Sequence, residues 1–157
     1  MAVELSPPER ELVERLGLVL EENHFPRGSG QILGLLLIVG EELSAAEISG
    51  ALRMSSGSVS MNLRPLCALE LVQRHSRPGT RRIYYSVQSP SFTAFLEAGA
   101  RRFAAYRGMI ESGGAAVERA GARERLQSLA DLFQTLEDSH RAVLARMSSE
   151  SAADAPR

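Results

Sequence analysis

Four arginines and a run of hydroxyl side chains carry the chemistry this sequence offers, and that chemistry is recognition of phosphates and base edges. From Ser55 to Leu69 there is no carboxylate, and the stretch presents Ser55, Ser56, Gly57 and Ser58, then Ser60, Met61 and Arg64. Small residues at a helix start leave its free amides and positive dipole end open to an anion. Arg64 has the reach for a guanine edge or a phosphate. Further on, Arg77-Pro78-Gly79-Thr80-Arg81-Arg82 gathers three arginines and a hydroxyl at one tip, where guanidinium planes suit phosphates and a narrow minor groove. Bond-making chemistry has no comparable set. His24, His75 and His140 are scattered without a metal-ligand spacing, and no nucleophile, base and orienter form a motif, so no enzyme activity, metal or cofactor is expected.

Two helices and a hairpin must position these residues. Ser44 stands three residues before Glu47, the reciprocal capping box that starts a helix, and Ile48 and Leu52 give it an apolar stripe. Ser55 caps a second helix, whose Val59, Leu63 and Leu66 share one face. At about 100° per residue, Gly57, Ser60, Met61 and Arg64 then face outward, with Ser56 and Ser58 on the flanks. Only Arg53 and Met54 separate the two helices, which makes a helix-turn-helix whose second helix enters the major groove. After Leu71 and Val72 come a strand, the Pro78-Gly79 turn, and a strand in which Ile83, Tyr85 and Val87 alternate. Taken singly, the helix is an ordinary Ser-rich helix and the tip an ordinary solvated basic turn. Their succession favours a DNA-binding wing beside a recognition helix.

These residues carry a resemblance. Gly34-Leu35-Leu36-Leu37, Ser44 with Glu47-Ile48, Met54-Ser55-Ser56-Gly57-Ser58-Val59-Ser60-Met61, Leu66, Leu71-Val72, Pro78-Gly79, Arg81-Arg82 and Tyr84-Tyr85 together resemble the MarR-type winged-helix transcription regulators, and more narrowly their GbsR-like branch. The likeness covers roughly residues 8–147. It implies a homodimeric DNA-binding regulator, and some similar proteins control osmoprotectant uptake or synthesis in response to choline-like compounds. Pro65 departs from the pattern. An interior proline removes a hydrogen bond and costs about 3 kcal/mol, so a kink or an early end of the recognition helix near Met61 is expected.

With 157 residues and 44% hydrophobic content, the chain can bury one real core. Its formal net charge of −1 is unevenly spread. Residues 1–43 hold 3 Arg against 8 Glu, a net of −5, whereas residues 44–90 hold 6 Arg against 2 Glu, a net of +4. The positive charge therefore coincides with the motif. All 18 basic residues are arginine, a bias to which no function is attached. Cys67, the single cysteine, lies near the buried face of its helix and reads as a small core residue rather than a redox sensor. Glu4, Glu9 and Glu11 stand where a signal peptide would need a basic start, and the apolar run Ile32 to Val39 is too short for a bilayer. A cytoplasmic protein with no membrane partner is expected.

The fold class is mainly α with a small β-hairpin: a winged helix-turn-helix with long N- and C-terminal dimerisation helices. Residues 1–26 form an N-terminal supporting helix, capped by Ser6 with Glu9 and striped with Leu12, Leu16, Val19 and Leu20. Residues 27–88 are the DNA-binding domain, with Ile32 to Val39 as its buried central post. Residues 89–147 are helical, and 148–157 read as a disordered tail. Phe92, Leu96, Gly99, Phe103, Tyr106 and Ile110 repeat at heptad spacing, and Leu129, Phe133, Leu136 and His140 continue the habit in the last helix. This seam is assigned to pairing with a second copy; the alternative is an antiparallel helix pair within one chain. The expected partners are double-stranded DNA bearing a near-palindromic operator, a second copy of the chain, and, left open, a small effector seated between the winged core and the pairing helices. The rival reading is a winged-helix protein-protein interaction module without specific DNA binding, which would lack the steep salt dependence of a phosphate contact.

Overall fold

The computed structural model describes residues 3–87 and 89–153. In chain order it forms α1 (Pro7–Glu22), α2 (Arg27–Val39), β1 (Leu43–Ser44), α3 (Ala45–Leu52), α4 (Ser56–Ala68), β2 (Gln73–Ser76), β3 (Ile83–Ser86), α5 (Ser89–Gly114) and α6 (Ala122–Ala153). The chain divides into two compact units, Met1–Phe92 and Thr93–Arg157, so α1 belongs with the winged part. The mainly helical fold with a small antiparallel sheet is as the residue pattern predicts. The sheet has a third strand that the pattern did not reveal: β1 pairs with β3 through Leu43 with Tyr85 and Ser44 with Tyr84, giving the order β1-β3-β2.

Capping sets where the helices begin. At α1 the Ser6 amide and hydroxyl both donate to Glu9 Oε2 at 2.7 Å, and Pro7 follows where a missing amide costs nothing. At α3 the Glu47 amide donates to Ser44 Oγ at 3.3 Å while its carboxylate accepts from the Ser44 amide at 2.8 Å. The Ser44 hydroxyl also donates to Glu47 Oε2 at 2.6 Å, and this bond first and the backbone amide's second hold the Glu47 carboxyl below the usual glutamate range.

Packing of α1 differs from its expected stripe. Leu12 and Val19 are about half exposed, and the buried face carries Val13 and Gly17. The reason is backbone proximity. A Cβ on Gly30 of α2 would collide with the Leu16 carbonyl and come within 2.7 Å of Gly17 Cα, and one on Gly34 would lie 3.3 Å from Val13 Cα. Helix α1 rolls to bring its glycine against those of α2, a preference that a count of apolar side chains ignores. Ile32, Leu35 and Leu36 of α2 are fully buried with Ile48 of α3 and Val59 and Leu66 of α4 in one core. Each such side chain contributes about 1.5–3 kcal/mol relative to exposure.

Within the second unit, α5 and α6 pack on each other. Phe103 stacks on Phe133 at 6.0 Å between ring centroids, meets His140 edge-on at 5.3 Å, and Tyr106 lies 5.3 Å from Phe133. Gly99 leaves room for the His140 ring, whose Nδ1 lies 2.8 Å from the Leu136 carbonyl. Much of the seam assigned to a second copy is thus occupied inside one chain, the arrangement that the heptad spacing left as the alternative. Glu137 is buried beneath it and accepts from Arg141 at 2.8 Å and Arg107 at 3.4 Å. The expected tail also needs correction. Helix α6 continues through residue 153, with Ser148 and Ser149 hydroxyls returning to the carbonyls of Leu144 and Arg146. Residues 154–157 lie outside the described residues.

Two outcomes follow from this packing. Gly30→Leu is expected to overpack the α1–α2 contact and lower unfolding stability by about 1–3 kcal/mol or more in urea titrations. Because the folded pKa of Glu47 is depressed, its contribution is fully present above the ordinary glutamate range and lost as pH falls through the lower folded value. The stability gap between the protein and Glu47→Gln is therefore expected to be full at pH 7 and to close under acid.

Candidate nucleic-acid interface

Helix α4 is presented by a short, well-tied turn. Arg53 ends α3 in the left-handed region at φ 53°, the Met54 amide donates to the Ser49 carbonyl, and Ser49 Oγ donates to the Met54 carbonyl at 2.6 Å. Ser55 then caps α4 by accepting from the Ser58 amide at 3.1 Å. The inward face is Val59, Leu63 and Leu66, together with Asn62. Asn62 is pinned on both sides: its Nδ2 donates to the Ser58 carbonyl at 2.8 Å, and buried Ser29 Oγ of α2 donates to its carbonyl at 2.9 Å. This polar bond between α2 and α4 has no periodic signature in the sequence.

The outward face matches the expected set. Ser55, Ser56, Gly57, Ser60, Met61 and Arg64 are exposed, Met61 by 69%, and Ser58 is half-buried behind them. Pro65 does not end the helix, which runs on to Ala68. The acceptor that a proline leaves without its amide is the Met61 carbonyl, and it belongs to an exposed residue that water can reach.

Across the sheet, β2 and β3 pair from Gln73 with Ser86 to Ser76 with Ile83. The tip turns on Pro78 and Gly79, with φ 79° at the glycine and the Thr80 amide donating to the Arg77 carbonyl at 3.3 Å, a type II turn. Ile83, expected to be half-buried, is 36% exposed at the end of its strand, and inward space goes instead to Ser86 and Val87. Thr80 Oγ1 accepts from the Arg82 amide at 3.0 Å, which stiffens the tip. Arg81 and Arg82 are exposed, and among the described residues no carboxylate pairs with either. Arg82 also borders a cleft of about 600 Å³ lined by Arg10, Arg53, Glu4 and Glu47, which mixes both signs of charge.

Arg77 stands apart from the other two wing arginines. Its Nη2 and Nε donate to Glu42 Oε2 at 2.9 and 3.3 Å, which raises its pKa further, and its guanidinium lies 4.2 Å from the centre of the Tyr84 ring. The sequence showed no carboxylate near this tip because Glu42 lies 35 positions upstream; only the pairing of β1 with β3 brings it here. His75 joins the same group, with Nδ1 3.7 Å from Glu42 Oε1 and Nε2 2.8 Å from Ser86 Oγ. The order carboxylate, imidazole, hydroxyl has the look of a nucleophilic triad. Ser86, at 1% exposure, cannot meet a substrate, and the group is structural. Cys67 is half-buried against the core, and burial pushes its thiol pKa up against the opposing charge of Arg74, as suits a packing residue.

A helix-turn-helix with a basic wing, its outer helix face free of carboxylates, defines a winged-helix DNA-binding transcription regulator. No family model matches the chain. It is 30% identical over 151 residues to the HTH-type transcriptional regulator MmpR5 of Mycobacterium tuberculosis, an alignment spanning 94% of this chain and 92% of that protein. The chain belongs to the family of HTH-type transcriptional regulators that includes MmpR5. A solved structure described as a transcriptional regulator superposes with a TM-score of 0.80 at 29% identity, over 91% of this chain and 99% of that one. A Staphylococcus aureus MepR–DNA complex is a more distant match, with a TM-score of 0.41 at 19% identity, over 80% of this chain and 90% of that one.

Arg81→Ala and Arg82→Ala are each expected to weaken binding to all duplexes alike and to reduce the salt slope by about 1, whereas Ser60→Ala or Arg64→Ala should change which sequences are preferred. Fluorescence anisotropy over a salt series with two duplexes separates the two kinds of effect.

Proposed function

We propose that the protein is a homodimeric, sequence-specific repressor that places α4 in successive major grooves of a near-palindromic operator and lays its wing along the adjoining backbone. The observation that carries this reading is the exposed outer face of α4, with Ser56, Gly57, Ser60, Met61 and Arg64, in the same compact unit as a wing whose Arg81 and Arg82 are exposed and, among the described residues, paired with no carboxylate. Hydroxyls and arginine supply base-edge and phosphate contacts, and exposed Met61 suits a thymine methyl. Two copies related by a two-fold axis would meet half-sites about 34 Å apart.

Support for pairing comes from apolar side chains that folding leaves uncovered. Leu12 and Val19 of α1 are about half exposed, as are Leu132 and Val143 of α6; Met109 of α5 is 65% exposed, and Phe92, Tyr106 and Leu129 of the predicted seam are each about two-fifths exposed. A partner copy that buries these positions would add to the internal contacts of Phe103, Ile110, Phe133, Leu136 and His140 rather than replace them, with Leu96 beside them on α5. The N-terminal helix then serves core and dimer together. Placement in the GbsR-like branch rests on the Ser58-Val59-Ser60-Met61 run with Arg81 and Arg82, and a choline-like effector comes with that placement. Among the described residues no helix is long and apolar enough to cross a membrane; the DNA partner proposed above supports a cytoplasmic location.

Sequencing the duplexes retained by the purified protein from a random pool is expected to yield an inverted repeat with half-site centres about 10 base pairs apart, and sedimentation of the free protein should give a dimer mass. Binding that recovers no motif and barely responds to salt would favour the protein-interaction module instead. Calorimetry with choline tests the effector separately.

A further inference from the structure

A carboxylate beside a phosphate-binding surface works against it, so Glu42 requires a reason. It is the last residue before β1, and its side chain is three-quarters buried. Both of its oxygens face the wing: Oε2 accepts twice from Arg77, and Oε1 lies 3.7 Å from His75 Nδ1. His75 passes the contact to Ser86 on β3, and Arg77 covers Tyr84 on the same strand. One carboxylate therefore links all three strands, immediately before the backbone pairing of Leu43 and Ser44 with Tyr85 and Tyr84. A two-stranded hairpin of four-residue strands is marginal by itself and would sample many angles.

We infer that Glu42 is the positioning residue of the wing: it clamps Arg77 and His75 at the wing root, withholds Arg77 from phosphate, and so converts wing charge into sequence discrimination. With the clamp closed, Arg81 and Arg82, four and five residues beyond Arg77, meet the duplex at a fixed angle set by the register of α4. With it open, the wing carries one more free guanidinium and one less opposing charge but no fixed aim. Non-specific affinity then rises while operator affinity falls. Arg77 is thereby removed from the phosphate-binding set that spacing alone assigned to it.

This inference rests on the DNA-binding reading for its functional half, and two measurements keep the halves apart. In the free protein, Glu42→Gln is expected to speed amide hydrogen exchange across residues 73–86 while leaving α2 and α4 protected; unchanged exchange in the wing overturns the clamp whether or not the protein binds DNA. With the selected operator and a scrambled duplex over a salt series, Glu42→Gln should tighten scrambled binding several-fold, steepen its salt slope by about 1, and weaken operator binding roughly tenfold. In an Arg77→Ala background the same substitution should no longer tighten scrambled binding, and Arg77→Ala alone should leave the slope of the otherwise unaltered protein unchanged. Equal changes for both duplexes, as a loss of folded protein would give, or tightening that persists without Arg77, would refute the inference. A protein that binds neither duplex before any substitution refutes the DNA-binding reading instead, and the exchange result then decides the clamp alone.

Discussion

The winged unit depends on the two-sided burial of α2. One side meets α1 through glycines that bring the two backbones together, and the other receives α3 and α4 on Ile32, Leu35 and Leu36. A helix held on both sides cannot rotate to suit its neighbours, so the neighbours rotate to suit it. That constraint fixes which face of α4 is lost to the core, and Ser29, reaching from α2 to the Asn62 carbonyl, fixes its depth. Everything α4 can offer to a duplex is what α2 leaves uncovered.

Charge is distributed by the same logic. Net positive charge lies in the span 44–90, with 6 Arg against 2 Glu, but that balance does not decide which guanidiniums are free. Among the described residues no carboxylate pairs with Arg81 or Arg82, whereas Arg77, in the same run of six residues, lies at the root and is held by Glu42. With Arg77 still half exposed, such a pair contributes little to global stability. Their consequence is directional: a planar guanidinium fixed between a carboxylate and an aromatic ring has one orientation rather than many.

In the second unit, the seam is used differently from a simple two-chain coiled coil. Phe103, Phe133 and His140 pack within one chain, and Glu137 is buried with Arg107 and Arg141 beside them. A buried carboxylate is costly to leave without its cations, and of the two only Arg107 comes from the other helix, so the Arg107–Glu137 pair is the one that ties α5 to α6. The apolar residues still exposed after that packing, Met109 and Leu132 above all, are the ones that a second copy could cover.

Local rules were enough to read the capping boxes at Ser6 and Ser44, the Ser55 cap, the two-residue turn, the Pro78-Gly79 tip and the outward face of α4, because each involves residues within one helical turn or one hairpin of each other. The roll of α1, the strand β1, the continuation of α4 through Pro65, the in-chain use of the seam and the capture of Arg77 were decided only in three dimensions. The roll turns on glycines that carry no hydrophobic signal. A two-residue strand has too few positions to show alternation. An ion pair spanning 35 positions exists only once β1 lies on β3. Periodicity tells which face of an element is apolar; what covers that face, and which charge meets its opposite, depends on contacts between segments that the linear order keeps far apart.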